Sequence, residues 1–293
     1  MTPPYAGPAE TPGLQAALAR LLTDEELLER FAGGDTEEIR RRFGLSGAEH
    51  GSLTAVSSGG LRRYAHSLRI RRLRLLEALL PVTTSVVTAH RGAERTASEF
   101  CAAYPRRVAD EGEDFRERNA AWFTEYVLSI DDDRLPAWFG DIARYEAIRA
   151  RLACGRAAHE AVGADEGDTV SPGDGQLLEA SPRVPANVEL AEFGHDVLTL
   201  LPVVADAPEG EYPPQRTWVL VRRLREWRID GYRLGASAYR ILTWCTGAAT
   251  AASIADRRAD ETGGPPEQAR CDVLTVIRAA HRQGFLTLGP VPA

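Results

Sequence analysis

The sequence predicts an α+β protein in which a helical N-terminal domain precedes a β-containing one. Three observations carry that prediction. From about Leu14 to Cys154 apolar residues recur at helical spacing. Between Ala161 and Pro182 the text turns to Gly, Asp, Ser and Pro. Beyond it, NVELAEFGHDVLTLLPVVA and RTWVLVRRLREWRIDGYRL have the alternation and the β-branched or aromatic content of strands. The expected boundaries are a helical domain over 12–160, a linker over 161–182 and a β-rich domain over 183–289.

In the helical half, Thr23 with Glu26 and Ser46 with Glu49 match the capping box, so helices are expected to begin near Asp24 and Gly47. LRRYAHSLRIRRLRLLEALLP, Leu61 to Pro81, places Leu61, Tyr64, Ala65, Leu68, Leu75, Leu76 and Leu79 on one helical face. Its six arginines do not form an opposing basic stripe. Arg63, Arg71 and Arg74 point away from the apolar face, Arg62 and Arg69 flank it, and Arg72 falls inside it. An arginine among core positions needs a partner or an interface. Further helices are expected at about Thr96–Tyr104, at Phe115–Leu128, and over LPAWFGDIARYEAIRARLACG, closed by Gly155. On the last of these, Glu146 and Arg149 enter a face made by Trp138, Phe139, Ile142, Tyr145 and Leu152. A carboxylate and an arginine three apart on an apolar face are an expected ion pair, and Glu146 is also an expected partner of Arg72, joining two helices of one domain.

Length and composition bound the function. A chain of 293 residues accommodates two domains, and 44% hydrophobic with 26% charged residues is ordinary for a globular protein. All 35 basic residues are arginine, and the formal charge is -7. The start, MTPPYAGPAETPG, lacks the basic and apolar regions of a secretory signal, and LLEALLPVTTSVVTA is too short and interrupted to span a bilayer. A cytosolic protein without membrane partners is expected. Cys101, Cys154, Cys245 and Cys271 form no CxxC pair, so reduced, mostly buried thiols are expected, with neither a zinc knuckle nor a disulfide framework. The common phosphate, zincin and hydrolase signatures are absent, and no catalytic constellation stands out. Of the histidines, His159 and His195 each adjoin a carboxylate, but neighbours on a helix or strand point apart and make no metal site. Asp131, Asp132 and Asp133 read as a solvated helix N-terminus rather than a cation site.

After the strands come expected helices at about Ala236–Cys245, Ala248–Asp260 and Glu267–Gln283, then a short strand at Phe285–Leu288. Strands, three helices and a terminal strand make a winged-helix-like unit. One function for such a unit is DNA binding by a transcription regulator. Its third helix, however, mixes Glu267 and Asp272 with Arg270, Arg278 and Arg282, and the overall pI is near 5.5. Both argue against nucleic acid.

The strands before Gly235, the apolar ILTWCTG, the run from Gly247 to Ile254-Ala255, and the Asp-Val-Leu helix ending in Gly284-Phe-Leu resemble the PqqD-type RiPP recognition element. That small domain captures leader peptides of ribosomally made natural products. LTDEELLERF, DIARYE and VLVRR extend the likeness across most of the chain. Together they resemble the partner proteins of multinuclear non-heme iron dependent oxidative enzymes, the group that includes the methanobactin partner subunit. The resemblance implies a non-catalytic chain without its own cofactor. Its partners would be a precursor leader and a separate TIM-barrel enzyme holding the iron. It also suggests two surfaces. Arg62, Arg69 and Arg72 would face the enzyme. The leader would add as a strand beside Thr217, Trp218, Val219, Leu220 and Val221, and rest on Val273, Ile277 and His281.

Overall fold

The computed structural model describes residues 13–104, 114–132, 135–156, 158, 172–207, 210–225 and 228–289. The chain divides into two units between Leu135 and Pro136.

The first unit is helical: α1 (Leu14–Thr23), α2 (Glu25–Ala32), α3 (Thr36–Phe43), α4 (Gly47–Thr54), α5 (Ser58–Leu79), α6 (Pro81–Arg91), α7 (Ala93–Ala103) and α8 (Phe115–Leu128). The capping box at Ser46 and Glu49 forms as expected. The one at Thr23 does not. Asp24 starts α2 instead, its Oδ1 accepting from the Leu27 amide at 3.1 Å, while the Thr23 hydroxyl donates back to the Ala19 carbonyl at 3.0 Å and finishes α1. Pro81 occupies the first position of α6, where a missing N–H costs nothing. Leu61 and Ala65 of α5 join Leu21, Phe31, Ile39, Phe43 and Leu53 in one core cluster.

The buried stripe of α5 comprises Leu61, Ala65, Arg72, Leu73 and Leu76. Tyr64, expected on the core face, is 56% exposed. Arg72 is 8% exposed and is held by its own unit. Nε donates to Asn119 Oδ1 at 2.6 Å, Nη1 donates to the Tyr104 carbonyl at 2.5 Å, and the guanidinium carbon lies 4.2 Å from the centre of the Phe100 ring.

The second unit contains α9 (Phe139–Cys154), α10 (Asp174–Glu179), β1 (Ser181–Arg183), β2 (Val188–Phe193), α11 (Val197–Asp206), β3 (Thr217–Arg223), β4 (Ile229–Leu234), α12 (Ala236–Thr243), α13 (Ala251–Thr262), α14 (Pro266–Arg282) and β5 (Thr287–Gly289). β2, β3 and β4 form a three-stranded antiparallel sheet in that order. β1 pairs antiparallel with β5 in a separate two-stranded sheet.

Three expectations change here. α9, expected in the helical domain, packs on the sheet. The Tyr145 ring meets Phe193 edge-on at 6.0 Å, and Arg223 Nη1 donates to the carbonyls of Leu152 and Ala153, each at 2.8 Å. The unit boundary therefore falls at 135 rather than near 160, and Glu146 belongs to a different unit from Arg72. Second, α10 and β1 occupy the end of the expected linker, whose residues 161–171, with His159 and Glu160, lie outside the described residues. Third, the run after Gly194 is a helix, not a strand. Val197, Leu200 and Val204 are buried at helical spacing, and this face outweighs the β-branched composition and Pro202. Among the described residues no helix is long and apolar enough to cross a membrane.

Candidate functional site

The site is built around the sheet of the second unit. By the period of two, Trp218, Leu220 and Arg222 of β3 share a face with Val188 and Leu190 of β2 and with Tyr232 and Leu234 of β4. Helices α12 to α14 cover this face. Leu220 shares a core cluster with Ile241, Val273, Ile277 and Phe285, against which Tyr232 and Leu234 also pack. The opposite face carries Val219, Val221 and Arg223 of β3, and α9 lies over it.

β3 is consequently the central strand, paired on both sides and buried on both faces. Its main-chain groups are taken by β2 and β4, so the expected strand addition at Thr217–Val221 has no free edge there. Val219, Leu220 and Val221 are fully buried, Thr217 is nearly so, and Trp218 is half-buried, its Nε1 donating to Glu192 Oε2 at 3.1 Å. Val273 and Ile277 are likewise fully buried core residues and line no groove. His281 is half-buried, with Nδ1 3.1 Å from the Leu286 carbonyl oxygen.

The sheet's edges are β2 and β4. β4 is held on both faces while its outer edge carries no strand among the described residues. On one face the Tyr232 ring stands 4.8 Å from Phe285, centre to centre. On the other, a Cβ at Gly231 would come within 2.6 Å of Leu198 Cδ2 and 2.7 Å of the Tyr145 hydroxyl, so those side-chain ends pack directly on the glycine and would have to shift for any larger residue. Arg233 pairs with Asp196 at the start of α11 and donates to Thr199 Oγ1 at 3.1 Å. Hydrogen bonds from Arg228 hold the Asp230 carboxyl below its usual range. The turn after α14 needs Gly284, whose φ is +66° and whose absent Cβ leaves room for the Arg222 guanidinium.

Sequence reasoning missed both β4 as the edge and a buried brace beside it. Asp141 Oδ2, on the first turn of α9, accepts from the His195 amide at 3.0 Å and lies 2.8 Å from His195 Nδ1. No sequence spacing links those residues. The edge was within reach, since three strands joined in succession stack in chain order and put the middle one in the middle.

The three arginines expected at a partner surface have different surroundings. Arg62 is exposed and paired with Glu29, with Nε 2.9 Å from Oε1. Arg69 is paired with Glu25 at 3.2 Å. Arg72 points into the first unit and presents no surface, because its guanidinium serves Asn119 and Tyr104. Asp131 and Asp132 follow α8 in non-helical backbone and Asp133 lies outside the described residues. Among the described residues no group of three or more His, Cys, Asp or Glu is placed to hold a metal ion.

Comparison with curated proteins gave no match to this chain. Residues 223–286 match the family described as Coenzyme PQQ synthesis protein D (PqqD), a span that runs from the end of β3 through β4 and α12 to α14. The second unit thus carries a PqqD domain, of the RiPP recognition element family, which implies a role in binding a precursor peptide.

Proposed function

We propose that this chain is a non-catalytic partner subunit in RiPP biosynthesis. It takes a precursor's leader along the outer edge of β4, unpaired among the described residues, and presents the peptide to a multinuclear iron oxidative enzyme held on a separate chain. The observation that carries the reading is the PqqD match, whose span contains β4 and excludes the other edge, β2. An open edge offers main-chain donors and acceptors to any extended peptide, and the side chains beside it select alternate residues. At β4 those neighbours are Tyr232 and Leu234 on the helix-covered face, which favours apolar residues at alternate leader positions. The same span supports a winged-helix-like arrangement, with the strands leading into α12, α13 and α14.

The iron-enzyme half of the proposal rests on the wider resemblance carried by LTDEELLERF, DIARYE and VLVRR. A helical unit outside the PqqD match is available for that contact, and the exposed Arg62 is a suitable member of such a surface. Co-expression with the neighbouring gene products tests the whole reading. A stable one-to-one complex with an iron-containing chain, able to hold labelled precursor, is the expected result. Salt-sensitive binding to duplex DNA with no such complex would replace it with the regulator reading.

A further inference from the structure

We infer that the first unit holds a binding site for an apolar carboxylate. This goes beyond the peptide-recognition reading, since the site lies outside the residues matched to PqqD. A cavity of about 550 Å³ opens between the end of α1, the middle of α5, α7 and the start of α8. Small-molecule sites typically span about 300 to 1,000 Å³ and combine apolar walls with a few placed polar groups. Leu68, Leu75 and Phe115 supply the apolar wall here. The polar part is one-signed among the described residues: Arg69, Arg71, Arg72 and Arg116 line the cavity, and no carboxylate is among its described lining residues.

Two of these arginines have capacity to spare. Arg69 uses Nη1 on Glu25 at 3.2 Å, while its Nη2 is buried with no hydrogen-bond partner among the described residues. A buried guanidinium N–H without an acceptor costs free energy, which a turn of the side chain toward a ligand oxygen in the cavity would recover. Arg71 is exposed and has no ion pair among the described residues. The other two are already engaged, Arg72 with Asn119 and Arg116 with Asp114 at 2.8 Å. Arg69 and Arg71, both lining the cavity, are thus the donors a carboxylate there would use. The wall of leucine and phenylalanine requires an apolar body behind that head group. Such a carboxylate comes from a free acid or from an acidic side chain flanked by apolar residues on another polypeptide.

Calorimetric titration of the full chain decides, with octanoate, neutral 1-octanol and the peptide acetyl-Leu-Leu-Glu-Leu-Leu-amide as probes. At least one carboxylate probe should bind saturably, one per chain, and at least about tenfold more tightly than octanol. Arg69→Gln and Arg71→Glu should each weaken it by about tenfold or more. Arg71 is exposed, so its variant should keep the native circular dichroism and serves as the control for folding. Tighter octanoate binding assigns the site to a free acid, and tighter peptide binding to another protein. No saturable binding of either carboxylate, equal binding of octanol, or indifference to both substitutions would overturn the inference.

Discussion

The guanidinium of Arg72 and the amide of Asn119 meet inside the first unit, with Nε 2.6 Å from Oδ1 and Asn119 fully buried. Asn119 Nδ2 in turn donates to the Phe115 carbonyl at 2.6 Å, so one buried arginine connects α5 to the first turns of α8. Arg72→Ala should destabilise the chain by about 3 kcal/mol, because charge-assisted hydrogen bonds and a ring contact go together. Asn119→Ala should cost about 2 kcal/mol, and the double variant less than the sum. Chemical denaturation of the four proteins measures the coupling. Unchanged stability in Arg72→Ala would return that residue to the partner surface.

Gly284 should tolerate no side chain. Its φ of +66° disfavours any other residue, and an added Cβ would lie 2.6 Å from Arg222 Nη2. Arg222 cannot simply withdraw, since Nη1 donates to the Gln283 carbonyl at 2.5 Å and its carbon lies 5.7 Å from the centre of the Phe285 ring. Gly284→Ala should therefore lower stability by more than about 1 kcal/mol, with part of the loss relieved by Arg222→Ala. Thermal unfolding of the single and double variants checks both statements.

Glu99 should contribute to the acid limb of unfolding. Burial pushes its carboxyl up, but hydrogen bonds from Arg95 and Tyr126 and the charges of Arg91 and Arg95 outweigh burial and hold it below its ordinary value of 4.5. A carboxyl depressed in the folded state adds stability above its unfolded pKa, and that stability is lost as pH falls through the folded value. Glu99→Gln should remove this dependence, making the stability curve shallower below about pH 4.5 and costing at most about 1 kcal/mol at neutral pH. Denaturation midpoints between pH 3 and pH 7 provide the check, using ranges set by about those carboxylate values.

The cysteines should separate by reactivity. Burial pushes the Cys245 thiol up to about 12, while Cys271 is exposed on α14. At pH 8 a thiol with that pKa is thiolate in only about one molecule in ten thousand. Iodoacetamide on the native protein should modify Cys271 well before Cys245, as peptide mass mapping would read. Early labelling of Cys245 would mean that the core around Ile241 and Trp244 opens readily.

Much of this architecture is written locally. Ser46 and Glu49 mark the start of α4, Phe115–Leu128 is recovered residue for residue, and Gly155 follows α9. Helical periodicity placed Arg72 in the core correctly, because burial along α5 follows that period. It could not say which unit α9 would join. That choice depends on Tyr145 meeting Phe193 and Arg223 reaching the last turn, contacts between residues far apart in sequence. The composition of Val197–Asp206 misled for a related reason, since β-branched residues fit either element and the buried face decides. At the site, the period of two separated Trp218 and Leu220 from Val219 and Val221 correctly. It was silent on whether either face or either edge was open, and for β3 none is. Leu220→Pro and Ile277→Asp should accordingly unfold the second unit rather than weaken leader binding selectively.

The central claim is that the leader adds to β4. Hydrogen exchange of the full chain, with and without the cognate precursor, reads it most directly because it reports main-chain amides strand by strand. We predict new protection across Ile229–Leu234, with the amides of β2 and of the central β3 unchanged. Protection that appears along Val188–Phe193, or no change in either edge strand at saturating precursor, would contradict it.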